Sequence, residues 1–167
     1  MPSIALVDPS QNEFLASLEA RAKQPNPFFR AMAHRPDVLK SFVPLYAAVM
    51  GPGAVERRIK MLLYLACSFA NRCAFCIAAN TPGAHKAGVT EQELQALKDE
   101  WDDEFSESER AAIRYARELT RTGDAMATRA ALPEHFRDEQ IAEMTLVICT
   151  ANFTNRLNNG LQIHPEA

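Results

Sequence analysis

The stretch RRIKMLLYLACSFANRCAFCIAAN, residues 57–80, decides how the rest of the chain is read. It is polar at Arg57, Arg58 and Lys60, then apolar through LLYLA, with no glycine, proline or strict alternation before Asn71. That run is too long for a buried strand, so it predicts a helix from about Ala54 to Asn71 whose second half is buried. Gly51-Pro52-Gly53 marks the turn before it. The next segment, Cys73 to Gly88, reads helical at both ends, with a break or kink expected at Thr81-Pro82-Gly83.

Upstream, an amphipathic segment from about Ser10 to Lys23 carries Phe14, Leu15 and Leu18 on one face and stops at Pro25-Asn26-Pro27. Pro27 and Pro36 suit first-turn positions, where the missing N–H costs nothing, so short and longer helices are expected at 28–34 and 36–50. Pro44 is expected to kink the longer one. Downstream, Thr90-x-x-Glu93 and Ser106-x-x-Glu109 have capping-box spacing and predict helices over about 91–100 and 107–122. Asp138 is expected to cap a last long helix that runs through EMTLVICTANFTNRL to Gly160. The fold class is therefore all-α: a compact, orthogonal bundle of seven or eight helices, forming one domain over 1–167 with residues 1–23 as a helical extension. A weak echo between residues 57–73 and 139–155 lays Met61 on Glu143 and Cys67 on Cys149. It reads either as a duplicated helical unit or as two buried helices of similar composition.

Composition narrows the function classes. Apolar residues make up 47% of 167 and charged residues 23%, and the net charge is −3. With no concentrated basic face, nucleic acid and anionic membrane are poor partners. The longest mostly apolar stretch, Met61 to Ala70, is far short of a bilayer span, and the first residues lack the pattern of a secretory signal. A soluble, cytoplasmic protein is expected, in which a structural disulfide framework is unusual.

Cys73-Ala74-Phe75-Cys76 carries the strongest chemical signal. Cysteines at i and i+3 lie on nearly one helix face, within disulfide reach once the side chains rotate. The helix N-terminus and the neighbouring Arg72 both favour thiolate. A thiolate attacks peroxide oxygen to give a sulfenic acid, and a second thiol condenses with it. Two other readings stay open at this point: a metal half-site, and inert packing. The metal reading lacks a second half-site, because Cys67, His85, Cys149 and His164 are scattered. Cys67 and Cys149 both read as core residues. His85 reads as a turn-capping group, or as one brought to the thiols by a kink at Pro82; His34 reads as structural. Glu143 opens the apolar half of the last helix, which calls for a partner (Arg156 or a helix-start amide) or a raised pKa suited to a catalytic base.

The run PNPFFRAMAHRPDVLKSFVPLYAAVMG, the helix leading into CAFC, HKAGVTEQELQAL and the later FSESERAAIRYARELT and EQIAEMTLVICTANFTNRLNNG together resemble the alkylhydroperoxidase D-like/carboxymuconolactone decarboxylase superfamily, in its longer peroxidase-related branch. The likeness covers about Gln24 to Ile163. It implies an all-helical fold, a homo-oligomer (trimer, dimer or hexamer), no bound cofactor or metal, and an external thiol or redox protein as electron donor. It also implies peroxidase or disulfide-reductase chemistry, with Cys76 as the attacking thiolate and Cys73 as its resolving partner. Members without the CxxC run decarboxylase or lactonase chemistry on small acids, and a redox sensor or ligand-binding protein is a third outcome on this scaffold. The redox members place a glutamate twelve residues before the first cysteine and a histidine four after the second. Here those positions are Met61 and Asn80, neither of which accepts a proton at neutral pH. Arg72, His85, Glu56, Glu143 or a neighbouring subunit are the groups left to support the thiolate.

Overall fold

The computed structural model describes residues 1–165. Local sequence chemistry sets most helix starts. Asn12 caps α1 (Glu13–Ala22), and Asn26 caps α2 (Pro27–Met32) with Pro27 in its first turn. Pro36 opens α3 (Pro36–Met50), which runs as one element past Pro44. Then come α4 (Arg57–Ala70) and α5 (Ala74–Lys86), followed by α6 (Glu91–Asp99) and α7 (Glu107–Thr122). The last two begin with the capping boxes expected at Thr90/Glu93 and Ser106/Glu109. The closing helix is α8 (Asp138–Gly160), and the described residues contain no strand. The all-α reading holds.

Three local expectations change. The segment 51–56 is an irregular turn, so α4 starts at Arg57 rather than Ala54. No break interrupts α5 at 81–83: Pro82 lies inside it, and Thr81 donates its hydroxyl to the Ile77 carbonyl at 2.9 Å. Gly83 faces α4, where a Cβ would make ordinary contact with Met61 Cε at 3.4 Å. Arg137, not Asp138, is the N-cap of α8. A 3₁₀ turn at Arg129–Glu134, which no periodicity announces, fills the link between α7 and α8.

Residues 60–68 of α4 are all buried, because α5, α6, α7 and α8 pack around it. This explains why its hydrophobic run shows no single apolar stripe. A second, smaller core of Leu15, Phe28, Met32, Leu39 and Phe42 joins α1, α2 and α3, and Tyr46 and Phe75 pack against both cores.

Charged groups fasten the helix ends. The Arg58 guanidinium reaches Glu109 (2.7 Å), Glu93 and the Gly88 carbonyl (2.6 Å), so one side chain ties the start of α4 to both capping-box glutamates. Lys60, fully buried, donates to the carbonyls of Val49 (2.9 Å) and Gly51 (2.6 Å) and pairs with Glu143. Glu143 also accepts the Ala54 and Val55 amides at 2.6 and 3.0 Å. Together the pair clamps the α3–α4 turn onto α8. No helix among the described residues is long and apolar enough to cross a membrane.

Candidate functional site around Cys73 and Cys76

The chain leaves α4 through a left-handed residue, Arg72 at φ 53°, and the Cys73 amide turns back to donate to the Ser68 carbonyl at 2.9 Å. Asparagines hold this reversal from both sides. Asn71 donates to the Oδ1 atoms of Asn152 (2.9 Å) and Asn155 (3.0 Å), and Asn159 donates to the Asn71 carbonyl at 2.7 Å. The turn that delivers the cysteines is thus hydrogen-bonded to α8.

Cys73 is the N-cap of α5, and its sulfur accepts the Cys76 amide at 3.3 Å. The two cysteines are joined as a disulfide, with Cα atoms 5.3 Å apart. They therefore meet at the helix N-terminus, where the unpaired amides favour negative charge on sulfur. Cys73 is 0% exposed and Cys76 2%. Cys76 contributes to the wall of a half-open cavity of about 440 Å³; Cys73 does not. That volume suits a small organic ligand.

The wall is aromatic: Phe28 and Phe29 from α2, Phe42 and Tyr46 from α3, Tyr64 from α4 and Phe75 from α5. Polar atoms come from Asn80, Thr154, Asn158 and the tyrosine hydroxyls, with Gln24 and Asn26 among the other lining residues. No lysine, arginine, histidine, aspartate or glutamate is among its described lining residues. Tyr64 donates to Thr154 Oγ1 at 2.5 Å, since Thr154 spends its own proton on the Ala151 carbonyl. Tyr46 donates to Asn80 Oδ1 at 3.4 Å, and Asn80 Nδ2 donates to the Cys76 carbonyl at 2.8 Å. Burial pushes both phenols up, so they stay protonated and act as donors. Asn158 on α8 donates Nδ2 to Cys76 Sγ at 3.3 Å.

The sequence candidates divide cleanly. Cys76 and Asn80 come together at the cavity, with Cys73 bonded behind Cys76 and Arg72 adjacent in the chain and exposed. Met61 is a core side chain. His85 is not a cavity residue: its Nδ1 meets the Val89 carbonyl at 2.9 Å and its Nε2 lies 3.5 Å from Glu91, as a turn-capping histidine does. His34 likewise fastens the N-terminal segment through Ala5 O at 2.7 Å.

Glu143 is not among the described cavity-lining residues, and its partners are Lys60 and the loop amides of Ala54 and Val55 rather than Arg156 or a helix-start amide. Burial pushes its carboxyl up, but Lys60 and the two loop amides outweigh that and hold it below the usual value. Cys67 is buried as expected, with its thiol pushed up to about 12 by burial, whereas Cys149 is exposed on α8 instead of lying in the core. Tyr46, Tyr64, Thr154 and Asn158 were not singled out by the sequence, because the Cys76–Asn158 contact spans 82 residues and no local pattern encodes it.

A family model for the carboxymuconolactone decarboxylase family matches residues 36–118, from the start of α3 through most of α7. The uncharacterized protein YdfG of Bacillus subtilis (strain 168) is 32% identical over 112 residues, which is 63% of this chain and 74% of YdfG. The chain belongs to the carboxymuconolactone decarboxylase family. Its fold is that of the alkylhydroperoxidase core. A Ralstonia eutropha JMP134 peroxidase-related protein with that core superposes at a TM-score of 0.83, with 19% identity over 99% of this chain and 92% of the other. The Agrobacterium tumefaciens protein ATU0492, of unknown function, gives 0.74 with 27% identity over 82% of this chain and 97% of the other. The family match spans the CxxC and the two helices before it, whereas the α2 part of the cavity wall and the α8 residues Thr154 and Asn158 lie outside the matched stretch.

Proposed function

We propose that this family member is a thiol-dependent oxidoreductase that cycles Cys73 and Cys76 between dithiol and disulfide while reducing hydroperoxides or disulfides. The observation that carries this reading is the Cys73–Cys76 disulfide at the start of α5, with only Cys76 reaching the cavity. Cys76 is then the attacking sulfur and Cys73 the shielded resolving one. An external thiol or small redox protein returns the disulfide to dithiol, and no bound cofactor is required. An acid-decarboxylating function is disfavoured because a carboxylate substrate calls for a cation, and the described cavity wall offers none.

The protein is proposed to act as a homo-oligomer. Leu45, Leu146 and Phe153 are 56%, 54% and 47% exposed on α3 and α8, and Phe153 stacks on Phe42 of the cavity wall.

The deciding experiment is alkylation of the reduced protein across pH, read by mass spectrometry, with and without hydroperoxide. One thiol of the pair is expected to react with an apparent pKa below the roughly 8.5 of a free cysteine, and peroxide is expected to close the disulfide. Cys76→Ser abolishes turnover, and Cys73→Ser stops it after sulfenic acid formation. Slow thiols that peroxide leaves reduced overturn the reading.

A further inference from the structure

The redox reading leaves a gap: positions 61 and 80 hold no proton acceptor, so something else must favour the Cys76 thiolate and align the substrate. The titratable side chains in the described cavity wall are Cys76 itself, Tyr46 from α3 and Tyr64 from α4; α2 and α8 add none. Cys73 lies behind Cys76, outside the wall. The tyrosines' hydroxyls are committed to Asn80 and Thr154. What remains against the sulfur is the Asn158 amide, 1% exposed and 3.3 Å from Sγ.

Its orientation is fixed by a second contact. Nδ2 also donates to the Thr154 carbonyl at 2.9 Å, and a carbonyl accepts only from the NH₂ end of an amide. The other end, Oδ1, is the one buried side-chain nitrogen or oxygen among the described residues with no hydrogen-bond partner. A buried acceptor left unsatisfied costs about 1–3 kcal/mol; Asn158 belongs to the cavity wall, and a ligand donor that displaces the packing over Oδ1 relieves that cost.

Building on the redox reading, we propose that Asn158 is a catalytic residue: Nδ2 donates to the Cys76 thiolate, and Oδ1 accepts the O–H of the hydroperoxide. The amide holds the attacking sulfur and the oxygen it attacks side by side without exchanging a proton itself. In the step it serves, the Cys76 sulfur forms a bond to the distal oxygen of ROOH, and the O–O bond breaks. RO⁻ departs and takes a proton from water. The Cys73 thiol then condenses with the Cys76 sulfenic acid, forming the S–S bond and releasing water. Two equivalents of an external thiol reduce that disulfide and leave as their own disulfide.

The test uses the full chain in a Cys73→Ser background, comparing Asn158, Asn158→Leu and Asn158→Asp. Iodoacetamide alkylation of Cys76 across pH reads the donor role. Trapping of the sulfenic acid formed by tert-butyl hydroperoxide reads both roles. Asn158→Leu is expected to raise the Cys76 pKa by about one unit or more, roughly tenfold less thiolate at neutral pH, since a hydrogen bond to a charged group is worth that much. Per thiolate, its peroxide rate falls about tenfold further, while Asn158→Asp, which keeps an acceptor oxygen, loses less.

Folded variants with an unshifted pKa overturn the donor role, and equal peroxide rates per thiolate in Leu and Asp overturn the acceptor role. Protection of buried Cys67 from alkylation certifies folding. Should the variants not fold, the side-chain amide of Asn158 in the reduced chain decides by NMR: its proton shifts must titrate with Cys76, and constant shifts overturn the proposal. The redox reading has a separate failure, a dithiol that peroxide does not oxidise in the unmutated protein, and the alkylation profile still reports on Asn158 in that case.

Discussion

At the scale of single residues, the position before the CxxC is under conformational strain. Arg72 adopts a left-handed backbone that costs a side-chain-bearing residue about 1–2 kcal/mol and costs glycine almost nothing. Arg72→Gly is expected to raise Tm by about 2–4 °C in a chain of this size, measured by calorimetry. The same variant removes the cation next to the pair, so its Cys76 alkylation profile is expected to move to higher pH. The two free thiols separate equally sharply. Cys67, with its thiol pushed up to about 12 and Thr120 Oγ1 donating to it at 3.2 Å, is expected to resist alkylation at pH 7 until the protein unfolds. Cys149 is exposed and is expected to label in the native state. Labelling of Cys67 ahead of Cys149 would contradict this burial pattern. At this scale the CxxC was legible in the sequence, since i, i+3 spacing is a local fact. The opposite fates of Cys67 and Cys149 were not, because each sits in a similar apolar run.

At the scale of elements, the α3–α4 turn depends on one ion pair. Lys60→Met leaves the Glu143 carboxylate without its cation and is expected to cost about 3–5 kcal/mol in urea unfolding. Adding Glu143→Gln is expected to return part of that loss, because the uncompensated charge disappears while the amide-accepting oxygen is kept. Two independent, additive losses would contradict the clamp. Gly53 belongs to the same device: a Cβ there would come within 2.6 Å of the Glu143 Cδ atom. Gly53→Ala is therefore expected to destabilise by about 1–3 kcal/mol. Helix starts at Thr90 and Ser106 were readable because a capping box is complete within four residues. The continuity of α5 through Pro82 was not readable, because the local residues signal a break while the helix packs against α4 and α8.

At the scale of the whole molecule, buried and half-buried carboxylates set the acid limit of stability. Arg30 holds Glu19 below its usual range; burial pushes Glu93, Asp102, Glu109 and Glu143 up, but their Arg58, Arg114, Arg117 and Lys60 partners bring the balance below normal. A carboxyl with a depressed folded-state pKa contributes stability that is complete above its unfolded value, near 4.5 for glutamate. Stability is therefore expected to stay level from pH 7 to about 5 and to fall steadily below 4.5, followed by urea midpoints at each pH. A chain equally stable at pH 3 and pH 7 would contradict this. The exposed apolar face of α3 and α8 makes a second prediction at this scale. Leu146→Asp is expected to lower the mass seen by light scattering, and an unchanged mass places the oligomer interface elsewhere.

The sequence by itself determined the all-α class, most helix boundaries, the family likeness and the CxxC, because each is written in spacings of a few residues. Tertiary structure alone decided the site around the pair. It placed Asn158 against a sulfur 82 residues away, gathered aromatic rings from α2, α3, α4 and α5 into one wall, and turned Glu143 from a candidate base into half of a clamp. The physical reason is range. Helix periodicity and capping act over one or two turns, whereas a hydrogen bond or ring contact between helices depends on how they cross, and packing of the assembled core sets that crossing.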